Sequence, residues 1–317
     1  MYMNDKTSRP LLAHLSMFSA CAFWGLMAPL GKDAMTHGIT GIDMVTFRVS
    51  GAALLFWLTS LFTPHEHITR RDLMLFPLAG LFGLVMNQCC YTIGLSITSP
   101  VNASIVTTSM PIFAMILAAL ILKEPITGRK AMGVLMGCSG ALILILTSAS
   151  AANAKVGDIR GDILCLLAQF SFALYLALFN PLVRRYSVFT INKWMFLWAT
   201  VFILPFSWSH VAAIQWSDVP VRTWWETAYV VFVATYLSYI LTMVGQRTLR
   251  PTVVSTYNYV QPLVSVIVSV AAGLAAFRPS HAIAVVLVFS GVWFVTKSRS
   301  RRDMEKEAQE GKCRDAN

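Results

Sequence analysis

Runs of about twenty apolar residues, closed off by short polar stretches, fill this chain from Leu11 to Lys297. About twenty such residues is the length at which an α-helix crosses the hydrocarbon core of a bilayer. Hydrocarbon offers backbone groups no water, so a crossing segment must satisfy its own hydrogen bonds. Ten spans are expected, at about 11–31, 42–63, 73–95, 100–122, 129–147, 160–180, 190–209, 224–246, 251–273 and 281–297. Pro or charge marks most boundaries, as at Pro64, Pro125, Pro220 and Pro251. Composition agrees: 56% of residues are hydrophobic and 13% charged, with a mean hydropathy of +0.63. A soluble domain carries roughly 25% charged residues. The fold class expected is therefore all-α and integral to the membrane. The first run, from Leu11 to Leu30, exceeds a signal-peptide core and further spans follow it, so it reads as an uncleaved helix.

The same spaced set of residues occurs twice, 151 positions apart. Gly94, Pro100, Ser104, Pro111 and Gly140 recur as Gly245, Pro251, Ser255, Pro262 and Gly291. Gly and Pro are scarce and each has a backbone role, so their recurrence in one register points to duplication. The boundaries that follow are an N-tail over 1–10, a first five-helix repeat over 11–147 and a linker over 148–159. A second repeat over 160–297 and a basic C-tail over 298–317 complete the chain. Five is odd, so the second copy crosses the membrane in the opposite sense to the first. Loop charges agree. With the N-terminus inside, cytoplasmic segments hold nineteen Lys and Arg and the opposite side five, with Arg48 alone inside a span. That bias sets both termini in the cytoplasm of a bacterial-type inner membrane. Inverted repeats of this kind are a mark of secondary transporters, with the site near the midplane between halves.

Other classes lose support. The net charge of +10 sits in loops and tail, as membrane orientation rather than a nucleic-acid stripe. Most of the six cysteines fall inside apolar spans and build no disulfide framework. Walker-type, HExxH and GxSxG signatures are absent, so neither ATP-driven pumping nor a common hydrolase is indicated. His65, Glu66 and His67 occupy one short loop without a fourth ligand and read as solvated. No catalytic residue, metal or cofactor is expected. The expected partners are a small-molecule substrate and the lipid bilayer, with no nucleic acid and a homodimer left open. Trp208, Trp216, Trp224 and Trp225 read as an interfacial aromatic belt.

Charge inside a span is costly and flags function by default. Asp43, Asp162, Glu226 and Glu124 lie at helix ends, and Arg48 lies about two turns into the second span. Arg48 reads as snorkelling or pairing with Asp43 or Asp33, with substrate contact secondary; Lys32 shares that ambiguity. The residues expected to line a substrate pathway are amides, hydroxyls and aromatic rings matched across the repeat. Gln88 and Tyr91 of the third span map onto Tyr239 and Thr242 of the eighth. Ser104, Thr107 and Thr108 of the fourth map onto Ser255, Asn258 and Tyr259 of the ninth, and Trp24 of the first maps onto Tyr175 of the sixth. Asn87, Gln169 and Gln261 add further amides. Ser and Thr in membrane helices also bond their own backbone, which is the competing structural reading. Pro111 and Pro262 are hinge candidates at matched depth, as pivots or as static kinks. Gly133, Gly137 and Gly140 read as a close-packing face.

Trp24-Gly25 followed by Pro29 and Lys32, then Arg48, then Tyr91-Thr92-Ile93-Gly94-Leu95, Pro111, Glu124, Gly133 and Gly140 form an ordered pattern over nearly the whole chain. By that pattern the chain resembles the drug/metabolite transporter superfamily, in particular its ten-helix EamA-like members. It departs at Ala275, which stands where the family often has a second Glu matching Glu124. The resemblance implies a secondary carrier working by alternating access, commonly an exporter of metabolites, amino acids or toxic compounds. The superfamily also holds nucleotide-sugar and sugar-phosphate carriers, and a channel is a further alternative. Coupling stays open between proton antiport, through Glu124, His14 or an end-lying Asp, and uncoupled export.

Overall fold

Four helices begin where a short polar side chain holds the first free amides. Thr40 and Asp43 form a reciprocal capping box at the start of one helix, and Thr69, Asp158 and Ser187 cap three others. The computed structural model describes residues 10–98, 100–151, 158–271 and 279–299. Residues 1–9, half of the linker (152–157), most of the C-tail, Ala275 and Arg278 lie outside the described residues. Within them the α-helices are α1 (Pro10–Thr36), α2 (Gly41–Ser60), α3 (Arg70–Gly80), α4 (Asn87–Ile97) and α5 (Pro100–Thr107). Then come α6 (Met110–Ile121), α7 (Gly128–Ala151), α8 (Ile159–Leu178), α9 (Asn180–Arg185) and α10 (Val188–Ala212). The last are α11 (Val221–Val231), α12 (Ser238–Thr248), α13 (Pro251–Thr256), α14 (Val260–Ala271) and α15 (Pro279–Thr296). Gly38, at φ 97°, makes the tight turn between α1 and α2.

Among the described residues, six helices are long and apolar enough to cross a bilayer: Pro10–Thr36, Gly41–Ser60, Arg70–Ile97, Ile159–Leu178, Val188–Ala212 and Val221–Thr248. The expected fourth and ninth spans are instead broken. A turn at Thr108 and Ser109 separates α5 from α6, and a 3-10 turn at Tyr257–Tyr259 separates α13 from α14. Pro111 and Pro262 each stand in the first turn after their break, where a missing N–H costs little. Apolar side chains coat the outside; Phe62 is 89% exposed and Phe206 83%, a surface suited to lipid.

Two long helices share a departure from α geometry that sequence periodicity did not announce. Leu81–Met86 joins α3 to α4 as a π-helical segment, and Phe232–Leu237 joins α11 to α12 in the same way, 151 positions later. A π segment widens the turn and disturbs the regular ladder of backbone partners. Side chains from neighbouring helices reach both. Ser171 Oγ donates to the Phe82 carbonyl (2.7 Å), and Trp24 Nε1 donates to the Ala234 carbonyl (2.8 Å).

Packing interchanges when the halves are swapped. α4 lies on α8 as α12 lies on α1; α6 lies on α8 as α14 lies on α1; α2 pairs with α10, and α7 with α15. Small residues permit the tightest of these approaches. A Cβ on Gly94 would lie 2.8 Å from both Cys165 Sγ and the Gly161 carbonyl, so α4 and α8 touch only because that position is Gly. On the α7–α15 seam, a Cβ on Gly133 would lie 2.7 Å from the Gly291 carbonyl. The small-residue face of α7 is thus occupied by packing.

Candidate functional site

Where the two π segments end, Gln88 of α4 and Tyr239 of α12 meet, with Gln88 Nε2 donating to Tyr239 Oη at 2.8 Å. The partners are 151 residues apart, so each is the other's counterpart in the repeat. This bond lies on the wall of a cavity of about 60 Å³. Of the residues expected on a pathway, Trp24, Asn87, Gln88, Tyr91, Gln169, Tyr239 and Asn258 line it. Thr107 and Gln261, also named among the polar groups of the spans, line it too, together with Met27, Arg48 and Phe172. The wall therefore draws on the broken turns after α5 and α13 as well as on α1, α2, α4, α8 and α12. The expected set of helices did not include α2, which brings Arg48.

Neighbours hold these groups in place. Asn87 Nδ2 donates to the Ala168 carbonyl (3.0 Å), and Gln261 Nε2 to Asn258 Oδ1 (2.7 Å). The Trp24 indole stands edge-on to Phe172 and Tyr239, with ring centroids 6.4 and 6.0 Å apart. Edge-to-face contacts of this kind fix ring orientation, so the apolar wall is set by the same residue that bonds the second π segment.

Four expected residues point elsewhere. Thr242 Oγ1 returns to the Ser238 carbonyl (2.7 Å) and Thr108 Oγ1 to the Ile105 carbonyl (2.6 Å), the backbone bonding that competes for hydroxyls in helices. Tyr259 follows Asn258 in a 3-10 turn, and one residue there turns the side chain by about 120°. It therefore faces α7, where it packs on Gly137 and donates to the Val134 carbonyl at 3.1 Å. Tyr175 is buried beneath Phe172, ring centroids 5.6 Å apart, and donates to Gln246 Oε1 at 3.3 Å. The repeat pairs positions; it does not carry the rotation of each helix. The Ser104 side chain lies outside the described residues.

Arg48 differs from its expected role. Its guanidinium is buried, donating from Nε to Thr235 Oγ1 (3.1 Å) and from Nη1 to Thr92 Oγ1 (3.2 Å). Asp43 is taken up by the capping box with Thr40, and Asp33 by Arg222 at 3.0 Å, so neither pairs with it. A lone basic residue two turns into a span was the available signal. Lys32 resolves differently: its ammonium caps α4 by donating to the carbonyls of Leu95, Ser96 and Thr98, where a helix end favours a cation.

A polar cluster stands at each end of the bundle. At one end Asp72, buried at the start of α3, accepts from Arg185 and from the Tyr186 hydroxyl (2.6 Å), while Glu66 accepts from the Ser187 amide. Bonding to Asp72 raises the Arg185 guanidinium above its ordinary pKa. At the other end Arg222, at the start of α11, bridges Asp33 (3.0 Å) and Glu226 (2.9 Å), and Thr223 Oγ1 donates to the His37 carbonyl (2.9 Å). Glu124 pairs with the buried Lys130 at 2.9 Å. Among the described residues no cluster of His, Cys, Asp and Glu has a metal-binding arrangement.

Long apolar helices around a polar chamber define a multi-pass membrane protein of the transporter class. The chain belongs to the EamA-like transporter family, whose model matches residues 11–146 and again 159–297. It is 22% identical over 299 residues to the uncharacterised transporter YetK of Bacillus subtilis, across 94% of this chain and 91% of that one. The uncharacterised transporter YyaM of the same organism is 25% identical over 224 residues, covering 70% and 73% of the two chains. A WAT1-related protein of Arabidopsis thaliana, At5g13670, is 20% identical over 335 residues, covering 94% and 87%. One solved crystal structure matches with a TM-score of 0.70 at 18% identity, over 90% of this chain and 98% of that one, a likeness of fold.

Proposed function

We propose that the protein is a secondary carrier that exports a small solute across a bacterial-type inner membrane by alternating access. Its two halves are five-span repeats of inverted topology, and both termini are cytoplasmic. The observation that carries this reading is the Gln88–Tyr239 bond, in which repeat counterparts meet at the wall of a polar cavity. π segments at matched positions, interchanging contacts and the double family match support it. The nineteen-to-five split of basic residues supports the orientation. A polar chamber between inverted halves is what alternating access requires, because tilting one half against the other exposes it to each side in turn.

The substrate pathway runs through Trp24, Asn87, Gln88, Tyr91, Gln169, Tyr239 and Asn258. A nucleotide-sugar or sugar-phosphate cargo fits less well, since only Arg48 among the lining residues is cationic. Proton coupling through Glu124 is disfavoured by its pairing with Lys130.

Flux of candidate solutes into proteoliposomes tests this reading. Saturable transport by the native chain, reduced at least tenfold by Gln88→Ala or Tyr239→Ala with folding intact, is the expected result. Single-channel currents in a planar bilayer, or no flux for any metabolite class, would overturn it.

A further inference from the structure

Arg48 is the feature that the carrier reading leaves unexplained. Its two hydrogen-bond partners, Thr92 and Thr235, are neutral hydroxyls, one from each half of the chain. Thr235 has already given its own proton to the Val230 carbonyl at 2.7 Å, so it meets the guanidinium as an acceptor. No carboxylate among the described residues lies within ion-pair distance of Arg48. An arginine cannot escape by deprotonating. A buried charge without a counterion is costly, and natural structures pair such charges.

The counterion is missing from the protein but not from the geometry. Arg48 lines the cavity, and the other lining residues are amides, hydroxyls, aromatic rings and apolar side chains, with no acid among them. The chamber therefore carries one fixed positive charge. A second observation points the same way. Gln88 Oε1 is buried with no hydrogen-bond partner, although its Nε2 is engaged by Tyr239. The Tyr239 hydroxyl is oriented towards the Gly83 carbonyl at 3.5 Å, so it serves Gln88 as an acceptor and leaves Oε1 free. The wall thus presents an unmatched cation and an unmatched acceptor, beside an apolar face made by Trp24, Met27 and Phe172.

We propose that the cavity binds a small organic monoanion, a carboxylate with a neutral hydrogen-bond donor beside it and an apolar body, for which Arg48 is the counterion. This rests on the carrier reading and names its substrate class. The guanidinium matches a carboxylate in planar geometry. The neighbouring donor, such as a 2-hydroxyl, is the group Gln88 Oε1 lacks. A zwitterion is a poorer match, because its ammonium cancels the charge that Arg48 needs and finds no acid on the wall.

Equilibrium binding to the purified full-length protein in detergent, measured by calorimetry, tests this without flux. The probes are phenyllactate, its uncharged amide phenyllactamide and its 2-amino counterpart phenylalanine. Phenyllactate should bind about ten- to a hundredfold more tightly than phenyllactamide, the range expected for a charge-assisted hydrogen bond. Arg48→Gln should bring the ratio of acid to amide affinities close to unity, and Arg48→Lys should restore part of it. A purely structural Arg48 would lower both affinities together and leave their ratio unchanged. If Arg48→Gln does not fold, the native protein still decides the matter. Equal affinity for acid and amide, or preference for phenylalanine, overturns the proposal. Acid-selective binding without transport would sustain this site and sink the carrier reading; transport indifferent to charge would do the reverse.

Discussion

A single buried hydrogen bond, Gln88 to Tyr239, links the two halves at their matched positions, and its energetics can be isolated. Tyr239→Phe removes the acceptor and strands the Gln88 amide, which costs about 1–3 kcal/mol when a buried donor goes unpaired. Replacing both partners by apolar groups is cheaper than stranding one. Unfolding in detergent should therefore show Tyr239→Phe/Gln88→Leu closer to native stability than the two single losses added together. Strict additivity would mean that the bond does not couple the halves. The equivalence of Gln88 and Tyr239 was legible in the sequence as an offset of 151; their bond was not. The burial of Tyr175 and Tyr259 was not, since offset says nothing of helix rotation and one residue turns a side chain by about 100°. Arg48 was visible as a charge in a span; what hid its role was that Asp43 and Asp33 stood nearby in sequence, each engaged elsewhere in space.

Among elements, the helices that close the cavity differ from those that frame it. α7 and α15 are packed through Gly133 and Gly291 and contribute no lining residue, whereas the chains around Thr107 and Asn258 are broken where they meet the chamber. Gly133→Leu should thus act as overpacking, costing about 1–3 kcal/mol and lowering the thermal midpoint without changing substrate preference. A changed preference with unaltered stability would contradict that division. Apolar length made the long helices legible, and Pro or charge marked most boundaries; the Thr, Asp and Ser caps came only with the structure. The π segments were not legible, because Leu81–Met86 and Phe232–Leu237 are apolar throughout and hydrophobic periodicity cannot separate one wide turn from a regular one. What stabilises them is remote in sequence, a hydroxyl from Ser171 and an indole from Trp24.

At the scale of the whole molecule, the two polar clusters occupy repeat-related places, at the start of α3 and at the start of α11, yet they are not equally strong. The Asp72 carboxylate, 3% exposed, takes a tyrosine hydroxyl in addition to the half-exposed Arg185. The more exposed Arg222 shares one guanidinium between Asp33, 31% exposed, and Glu226, 7% exposed, with no second side-chain hydrogen bond to either among the described residues. Exposed ion pairs are weak and screened by salt, while a buried carboxylate with fixed donors is screened far less. In a carrier that rocks between two closures, the end held by Asp72 is then the harder to open. A cysteine at Gln169, in a chain with its native cysteines replaced, reports this through labelling by a membrane-impermeant thiol reagent. Asp72→Asn should raise labelling severalfold from the side that bears Asp72. Arg222→Gln should raise it from the opposite side by a smaller factor, and added salt should reproduce the Arg222 effect alone. Labelling that rises from one side in both variants would mean that the clusters do not act as opposed closures, because alternating access requires that weakening either end expose the chamber to that end only.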